Sequence, residues 1–403
     1  MSVYDLLILG GGPAGLAAGI YGARAKLKTA ILEKGAVGGM AFTTREIVNY
    51  PGFKSTTGPD LMKTMASHAK EFGAEIIKGQ ITEVDLAGEI KTVKTKKGIQ
   101  YQARAVILAP GSQPRLLNIP GEKKLRGSGV SYCATCDAEF YEDLTVVVVG
   151  NGDAAIEEAI YITKYASKVI VIVIHDEGIV DCNKASAEKA FQNPKIEFVW
   201  NSVLAEIKGQ ENVETVVVKN LKTGENTEVK AEGVFIYVGM VPETEFLKGK
   251  VDLDERGYIP TNEMMETNVD GVCAAGDARV KYLRQVVTAA NDGAIAAVTV
   301  ERYLAEEDDF KENVLKADKP VVLAFWSPAD DASIDAVARL EQTVAESGDK
   351  VKLVKVDMSR KKRIARRYNV TATPAALLLN AGKVVRDITG VFEAVWGDEV
   401  LRA

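Results

Sequence analysis

"DLLILGGGPAGLAAGIYGARAKLKTAILEK" (residues 5–34) sets two apolar runs either side of a Gly-rich turn and a stretch of small residues. Residues 6–9 have the length and composition of a buried strand, the small residues suit a helix, and residues 30–32 predict a second strand ending in Glu33. Gly10 permits the tight turn, Gly12 lets the backbone approach a diphosphate, and Gly15, beside Ala14, lets the helix pack closely on the strand. Free N–H groups at the helix start favour the negative charge of such a group. Glu33 stands where an acid accepts from an adenosine ribose hydroxyl. The glycines alone would be weak; with a strand before, a helix after and the acid in place, the stretch reads as a dinucleotide-binding unit.

The pattern recurs at "TVVVVGNGDAAIEEAIYITKYASKVIVIVIHDE" (145–177), with Gly150, Gly152 and Ala155 in the three small-residue positions. Two such units in one α/β chain point to two dinucleotides, and paired units hold a flavin and a nicotinamide within hydride-transfer range. "VDGVCAAGDAR" (269–279) adds a short strand and then Gly276-Asp277, placed for a second contact to the ribityl or phosphate region of a flavin; Cys273 in that strand reads as a small core residue.

Composition narrows the rest. A length of 403 residues suits two to four domains, and 47% apolar with 26% charged residues is ordinary for a water-soluble globular chain. No apolar run reaches the roughly 18–20 residues of a spanning helix, and the first residues enter a strand without a basic leader, so a cytoplasmic location and no membrane partner are expected. The net charge of −6 argues against nucleic acid as a partner. With only His68 and His175 as histidines, a His-based metal site or triad is not expected. Cys133 and Cys136 form a Cys-x-x-Cys; zinc would want a second ligand pair, but Cys182 and Cys273 stand apart, so no metal is expected and redox chemistry is the reading kept. At a helix start the two sulfurs share one turn, close enough to bridge, and Asp137 directly after them is a candidate general acid.

"GVSYCATCDAEFY" (129–141) resembles the redox motif of the bacterial low-molecular-weight thioredoxin reductases, and the likeness extends over about residues 1–305 through "VGGMAFTTREIVNYPGF" (37–53), "VILAPGSQPR" (106–115), "VGMVPET" (238–244) and "LRQVVTAANDGAIAA" (283–297). The resemblance implies two Rossmann-like domains: a discontinuous FAD-binding domain, 1–115 and 246–305, and an inserted pyridine-nucleotide domain, 116–245, carrying the cysteines. It implies FAD held by Gly10, Gly12, Ala14, Gly15, Glu33, Gly39, Met40, Asn49, Gly111, Gly276, Asp277, Arg284 and Gln285, and a homodimer whose domains rotate to present the cysteine pair alternately to flavin and substrate. Met40 stands where the family usually has Gln, and Pro110 where it usually has Thr.

The nucleotide site departs further. NADPH-using relatives carry a His-Arg-Arg cluster for the 2′-phosphate; here those positions hold Val173, Ile174 and His175, followed by Asp176 and Glu177. Carboxylates would repel a 2′-phosphate, whereas Asp176 or Glu177 can accept from the diol of NADH if the strand is longer by two residues, with Gly150, Gly152 and Ala155 under the diphosphate; against this, Val173 stands at the spacing that Glu33 has in the first unit. NADH is therefore favoured over NADPH, and a ferredoxin-type donor, as in nucleotide-independent relatives, stays open. His175 reads as a strand-end surface histidine.

Residues 306–403 form a separate module, entered through an acidic linker at 306–309. Strand 321–326, a helix from about 331, strand 351–357, a basic helix at 360–368 and "TATPAALLLNAGKVVRDITG" (371–390) resemble thioredoxin, with Thr373-Pro374 where that fold places a cis-proline. In "VVLAFWSPADDAS" (321–333) the two cysteine positions hold Asp330 and Ser333, and the buried aspartate that assists thiol deprotonation falls at Ala324, which makes the module redox-inactive; Asp330 is expected to cap the helix. "SRKKRIARR" (359–367) is read as a solvated basic face partly neutralised by the acidic linker, with a docking patch for an acidic redox partner as the alternative.

The expected function is an FAD-dependent reductase that passes electrons through Cys133 and Cys136 to a thioredoxin- or glutaredoxin-like protein disulfide. By the resemblance Cys133 attacks the substrate, Cys136 faces the flavin and Asp137 is the acid. An oxidase that forms disulfides and passes electrons to oxygen, and a non-catalytic redox scaffold, are the alternatives.

Overall fold

The computed structural model describes residues 3–44, 47, 49–348 and 350–390, apart from the side chain of Cys136. The chain forms two compact units, Met1–Val300 and Glu301–Ala403.

In the first unit the strand Tyr4–Leu9 is central to a seven-stranded sheet. Thr29–Glu33 and Gln100–Leu108 flank it in parallel; Glu75–Lys78 extends one side and the antiparallel strands Lys91–Thr95 and Ile81–Asp85 the other. Leu6, Leu7, Ile8 and Leu9 are fully buried, as a strand covered on both faces requires, and each contributes about 1.5–3 kcal/mol. Val272–Ala274, from far along the chain, adds in parallel to Gln100–Leu108 and brings the Gly276-Asp277 turn to the first Gly-rich turn. There the backbone is tight. Gly10 has φ +116°, and a Cβ on it would lie 2.1 Å from the Ala109 carbonyl oxygen; one on Gly15 would lie 1.8 Å from the Gly10 oxygen. Pro13 starts the helix Pro13–Arg24 at a position where its missing N–H removes no helical bond.

A second sheet is wholly parallel, in the order Ile196–Val199, Lys168–Ile172, Thr145–Val149, Gly233–Ile236 and Val130–Ser131. An antiparallel meander, Ser202–Lys208, Thr215–Asn220 and Asn226–Lys230, packs beside it. The chain leaves the first sheet and returns to it along segments that pair with one another, Ser112–Pro114 with Met240–Pro242.

The second unit has a four-stranded sheet, Lys352–Asp357, Val321–Trp326, Ala375–Asn380 and Lys383–Asp387, with the helices Asp331–Glu346 and Lys362–Arg367. The Thr373–Pro374 peptide is cis, and Asp330 caps its helix by accepting from the Ala332 N–H. One expectation changes: 306–309 is not a linker but the end of the helix Val286–Phe310, which runs on into a π-turn, Lys311–Leu315. Glu306 and Glu307 of this helix pair with Arg363, and Glu307 also with Arg367, all in the same unit.

Candidate active site

Ser131 ends the edge strand of the second sheet, and its Oγ accepts from the Cys133 N–H at 3.1 Å. Cys133, in extended backbone (φ −147°, ψ 101°), then begins the short helix Ala134–Asp137. It is disulfide-bonded, whereas Cys182 and Cys273 are free. The side chain of Cys136, the other half of the motif, lies outside the described residues; its backbone is in the helix. Cys133 Sγ lies 3.4 Å from Thr135 Oγ1, and the Ala134 N–H donates to Tyr237 Oη at 2.7 Å. The charge of Asp137 acts on two partly buried phenols: Tyr141, pushed up to about 12 by burial and then by Asp137, and Tyr237, raised well above the usual range chiefly by burial. Beneath the helix, Ala134 and Ala138 pack on Ile156, Ala159 and Phe235. Its outer side borders an open cavity of about 580 Å³ lined by Thr56, Asp60, Ala134, Thr135, Tyr161 and Tyr165.

The first dinucleotide turn fits a flavin nucleotide. Glu33, at the strand end, uses both oxygens on backbone N–H groups, Gly11 and Gly35, each at 2.7 Å. A Cβ on Gly12 would approach only Gly38 and Gly39, each at 4.0 Å, whereas one on Gly39 would lie 3.3 Å from the Gly12 Cα, so the two glycine backbones pack side by side at the turn. Gly276 closes on Ala14, where an added Cβ would lie 2.9 Å from the alanine methyl. The adjacent Asp277 has a buried Oδ1 with no partner, an acceptor that a ribityl hydroxyl of FAD would engage, and burial raises its carboxyl. Arg284 lies over the Tyr258 ring at 4.2 Å, and Asn49 donates to Gln285 at 3.2 Å. Gly111 is left-handed (φ +76°), and Met40 is exposed. Asp292 escaped the sequence reading. Almost fully buried, it accepts from the Gly276 N–H (3.1 Å), Arg279 (3.0 Å) and Lys281 (2.6 Å), and so holds the Gly276-Asp277 turn. The signal was present as a lone acid in the small apolar helix segment "AANDGAIAA" (289–297).

The second turn repeats the first with one substitution. Val149 pairs with Ile172 as Leu9 pairs with Leu32, so Val173, fully buried, holds the place of Glu33. Gly152 has nothing within 4 Å of an added Cβ, and Ala155 packs beneath Gly150. Asp176 is exposed and ion-paired with Lys222, which holds its carboxyl below the usual range. The residue joined to the glycine turn is Asp181, unnamed from sequence: its N–H donates to the Asn151 oxygen (2.9 Å) and its Oδ2 meets Asn151 Nδ2 (2.9 Å) and His175 Nε2 (3.0 Å). His175 lies just beyond the strand end, at the surface, and meets Asp181 there.

In the second unit, Asp330 and Ser333 are knitted into the turn they occupy. The Ser327 N–H donates to Ser333 Oγ at 2.9 Å, Ser333 is fully buried, and Asp330 Oδ2 accepts from Thr373 at 3.0 Å. Neither side chain can exchange electrons.

The family described as Pyridine nucleotide-disulphide oxidoreductase matches residues 4–293, and Thioredoxin matches residues 301–395. The chain is 53% identical to the thioredoxin reductase of Peptoclostridium acidaminophilum over 318 residues, covering 77% of this chain and 99% of that one. It is 34% identical to the bifunctional thioredoxin reductase/thioredoxin of Mycobacterium leprae over 432 residues, covering 96% and 94%. The crystal structure of Lactococcus lactis thioredoxin reductase (FR conformation) is similar at TM-score 0.68 and 40% identity, over 75% of this chain and 99% of that one.

Proposed function

The chain belongs to the thioredoxin reductases of the pyridine nucleotide-disulphide oxidoreductase family, with a thioredoxin domain following in the same chain, and we propose that it carries electrons from NADH through FAD and Cys133/Cys136 to a separate thioredoxin- or glutaredoxin-like protein. It is an FAD-dependent oxidoreductase, and its family implies a pyridine nucleotide as donor. The observation that carries the proposal is the disulfide-bonded Cys133 at the start of a helix packed on the second dinucleotide unit.

Bound FAD supplies two-electron transfer between a nicotinamide and a disulfide. Around it, Gly12 would let the backbone approach the diphosphate, Glu33 shapes the turn, and Asp277 would offer its unpartnered oxygen to a ribityl hydroxyl. After reduction, the Cys133 thiolate attacks the substrate disulfide, Asp137 protonates the departing substrate sulfur, and Cys136 displaces the mixed disulfide to reform the internal bond. The boundaries go with this reading: FAD-binding segments 1–115 and 246–305, an inserted domain 116–245 that rotates against them, and a redox-inactive thioredoxin-like domain 306–403. So do a homodimer and a cytoplasmic location; among the described residues no helix is long and apolar enough to cross a membrane.

NADH is preferred over NADPH because Asp176 and Asp181, not arginines, stand beyond the second strand. A ferredoxin-type donor is the second reading, favoured by buried Val173 in the place of Glu33. Anaerobic addition of NADH, NADPH or reduced ferredoxin separately, with flavin bleaching as the readout, tests both. NADH is expected to bleach fastest; bleaching by ferredoxin alone would overturn the nicotinamide reading. Reoxidation in air faster than transfer to a protein disulfide would favour an oxidase instead.

A further inference from the structure

We propose that Glu158, on the helix behind the redox disulfide, takes up a proton when that disulfide is reduced and releases it when the disulfide reforms. The inference rests on the dithiol exchange proposed above and adds a group to it.

Glu158 lies in the helix Asp153–Ile162, whose Ala155, Ile156 and Ala159 form one core with Ala134 and Ala138 of the redox helix. Its Oε2 is buried without a hydrogen-bond partner. Its neighbour Glu157 faces away, accepting from Asn183 and Ser186 at 3.1 Å each. Burial, and then the charge of Glu157, push the Glu158 carboxyl up to about 7. Across from it stands Tyr237, on which both Glu158 and Asp137 act electrostatically. Tyr237 Oη accepts the Ala134 N–H, the first amide after Cys133. Asp137 in turn acts on Tyr141. Among the described residues, the ionisable groups around the redox helix and Glu158 are the carboxyls of Asp137, Glu158 and the outward-turned Glu157, the phenols of Tyr141 and Tyr237, and, lining the cavity on the outer side, Asp60, Glu139, Tyr161 and Tyr165.

Breaking the S–S bond with two electrons puts negative charge at the head of the redox helix, one amide from the Tyr237 hydroxyl. A carboxylate behind that hydroxyl is then less favourable than a carboxylic acid. The balance closes. A hydride brings two electrons and one proton, solvent brings a second proton, one cysteine leaves as a thiol and one as a thiolate, and the remaining proton sits on Glu158. Reoxidation returns it to solvent. Glu158 touches no reacting atom; it acts on the redox helix through Tyr237.

The test equilibrates the full-length holoprotein with dithiothreitol between pH 6 and 9, without any nucleotide, and measures the exchange constant of the Cys133 disulfide. In the wild type the preference for the reduced form should fall about tenfold more across this range than in Glu158→Gln, the equivalent of one pKa unit of coupling. Glu158→Asp should restore part of the dependence. Identical pH profiles for wild type and Glu158→Gln would overturn the proposal. If the glutamine variant fails to fold, the infrared difference spectrum of the wild type (reduced minus oxidised, pH 7.5) decides: a gained protonated-carboxyl band supports it, and none refutes it. A disulfide that dithiothreitol leaves intact throughout would instead overturn the dithiol-exchange reading, and this inference with it.

Discussion

Asp292 gathers two cations and a backbone amide onto one carboxylate almost without solvent. Asp292→Asn leaves Arg279 and Lys281 buried without their counter-charge, and should cost about 3 kcal/mol by chemical denaturation and loosen FAD, read as flavin fluorescence released on dilution. Glu158 makes a prediction of opposite sense. Its native carboxyl holds a proton up to about 7, above its ordinary value of 4.5, so the native state binds the proton more tightly than the unfolded chain. Its stabilising effect is full below the lower value and lost as pH rises through the higher. Between pH 5 and pH 8 the wild type should therefore lose up to about 3 kcal/mol that Glu158→Gln keeps, measured as unfolding free energy at each pH. Neither residue's role could be read from the sequence, beyond the hint of a lone acid in the apolar segment 289–297, because an acid on a helix is ordinarily a solvated face and only the packing of other segments takes it out of water. Gly10, Gly15 and Cys133 were legible because turn geometry and sulfur chemistry are local.

At the scale of elements, the basic run divides. Arg363 is almost covered, pairs with Glu306 and Glu307 and lies over the Tyr303 ring at 4.4 Å, whereas Arg360 projects into solvent. Arg363→Ala should destabilise the second unit by about 2 kcal/mol, and Arg360→Ala should leave it within about 0.5 kcal/mol, both read from the denaturation midpoint of the full chain. The reading of a basic face neutralised by nearby acids holds for Arg363 and Arg367. The acidic run itself was misjudged as a linker. Consecutive acids repel in isolation, and here Glu306 and Glu307 are countered by arginines brought back by the fold more than fifty positions later. The cap at Asp330 was legible, since capping needs only the next two residues.

In the whole molecule, one chain joins a reductase carrying its own disulfide to a thioredoxin domain whose two thiol positions hold Asp330 and Ser333. The overall classes were readable because paired Gly-rich turns and a Cys-x-x-Cys carry their chemistry in short segments. The donor was not, because it depends on what the segment after the second strand lays on the glycine turn, and Asp181 is placed there by long-range pairing. In the proposed function electrons leave through Cys133 to another molecule. The most direct test compares the wild type with Cys133→Ser under anaerobic conditions, supplying the donor that bleaches the flavin and then oxidised thioredoxin. Both proteins should bleach, and only the wild type should reduce the thioredoxin; turnover of thioredoxin by Cys133→Ser at the wild-type rate would contradict the account.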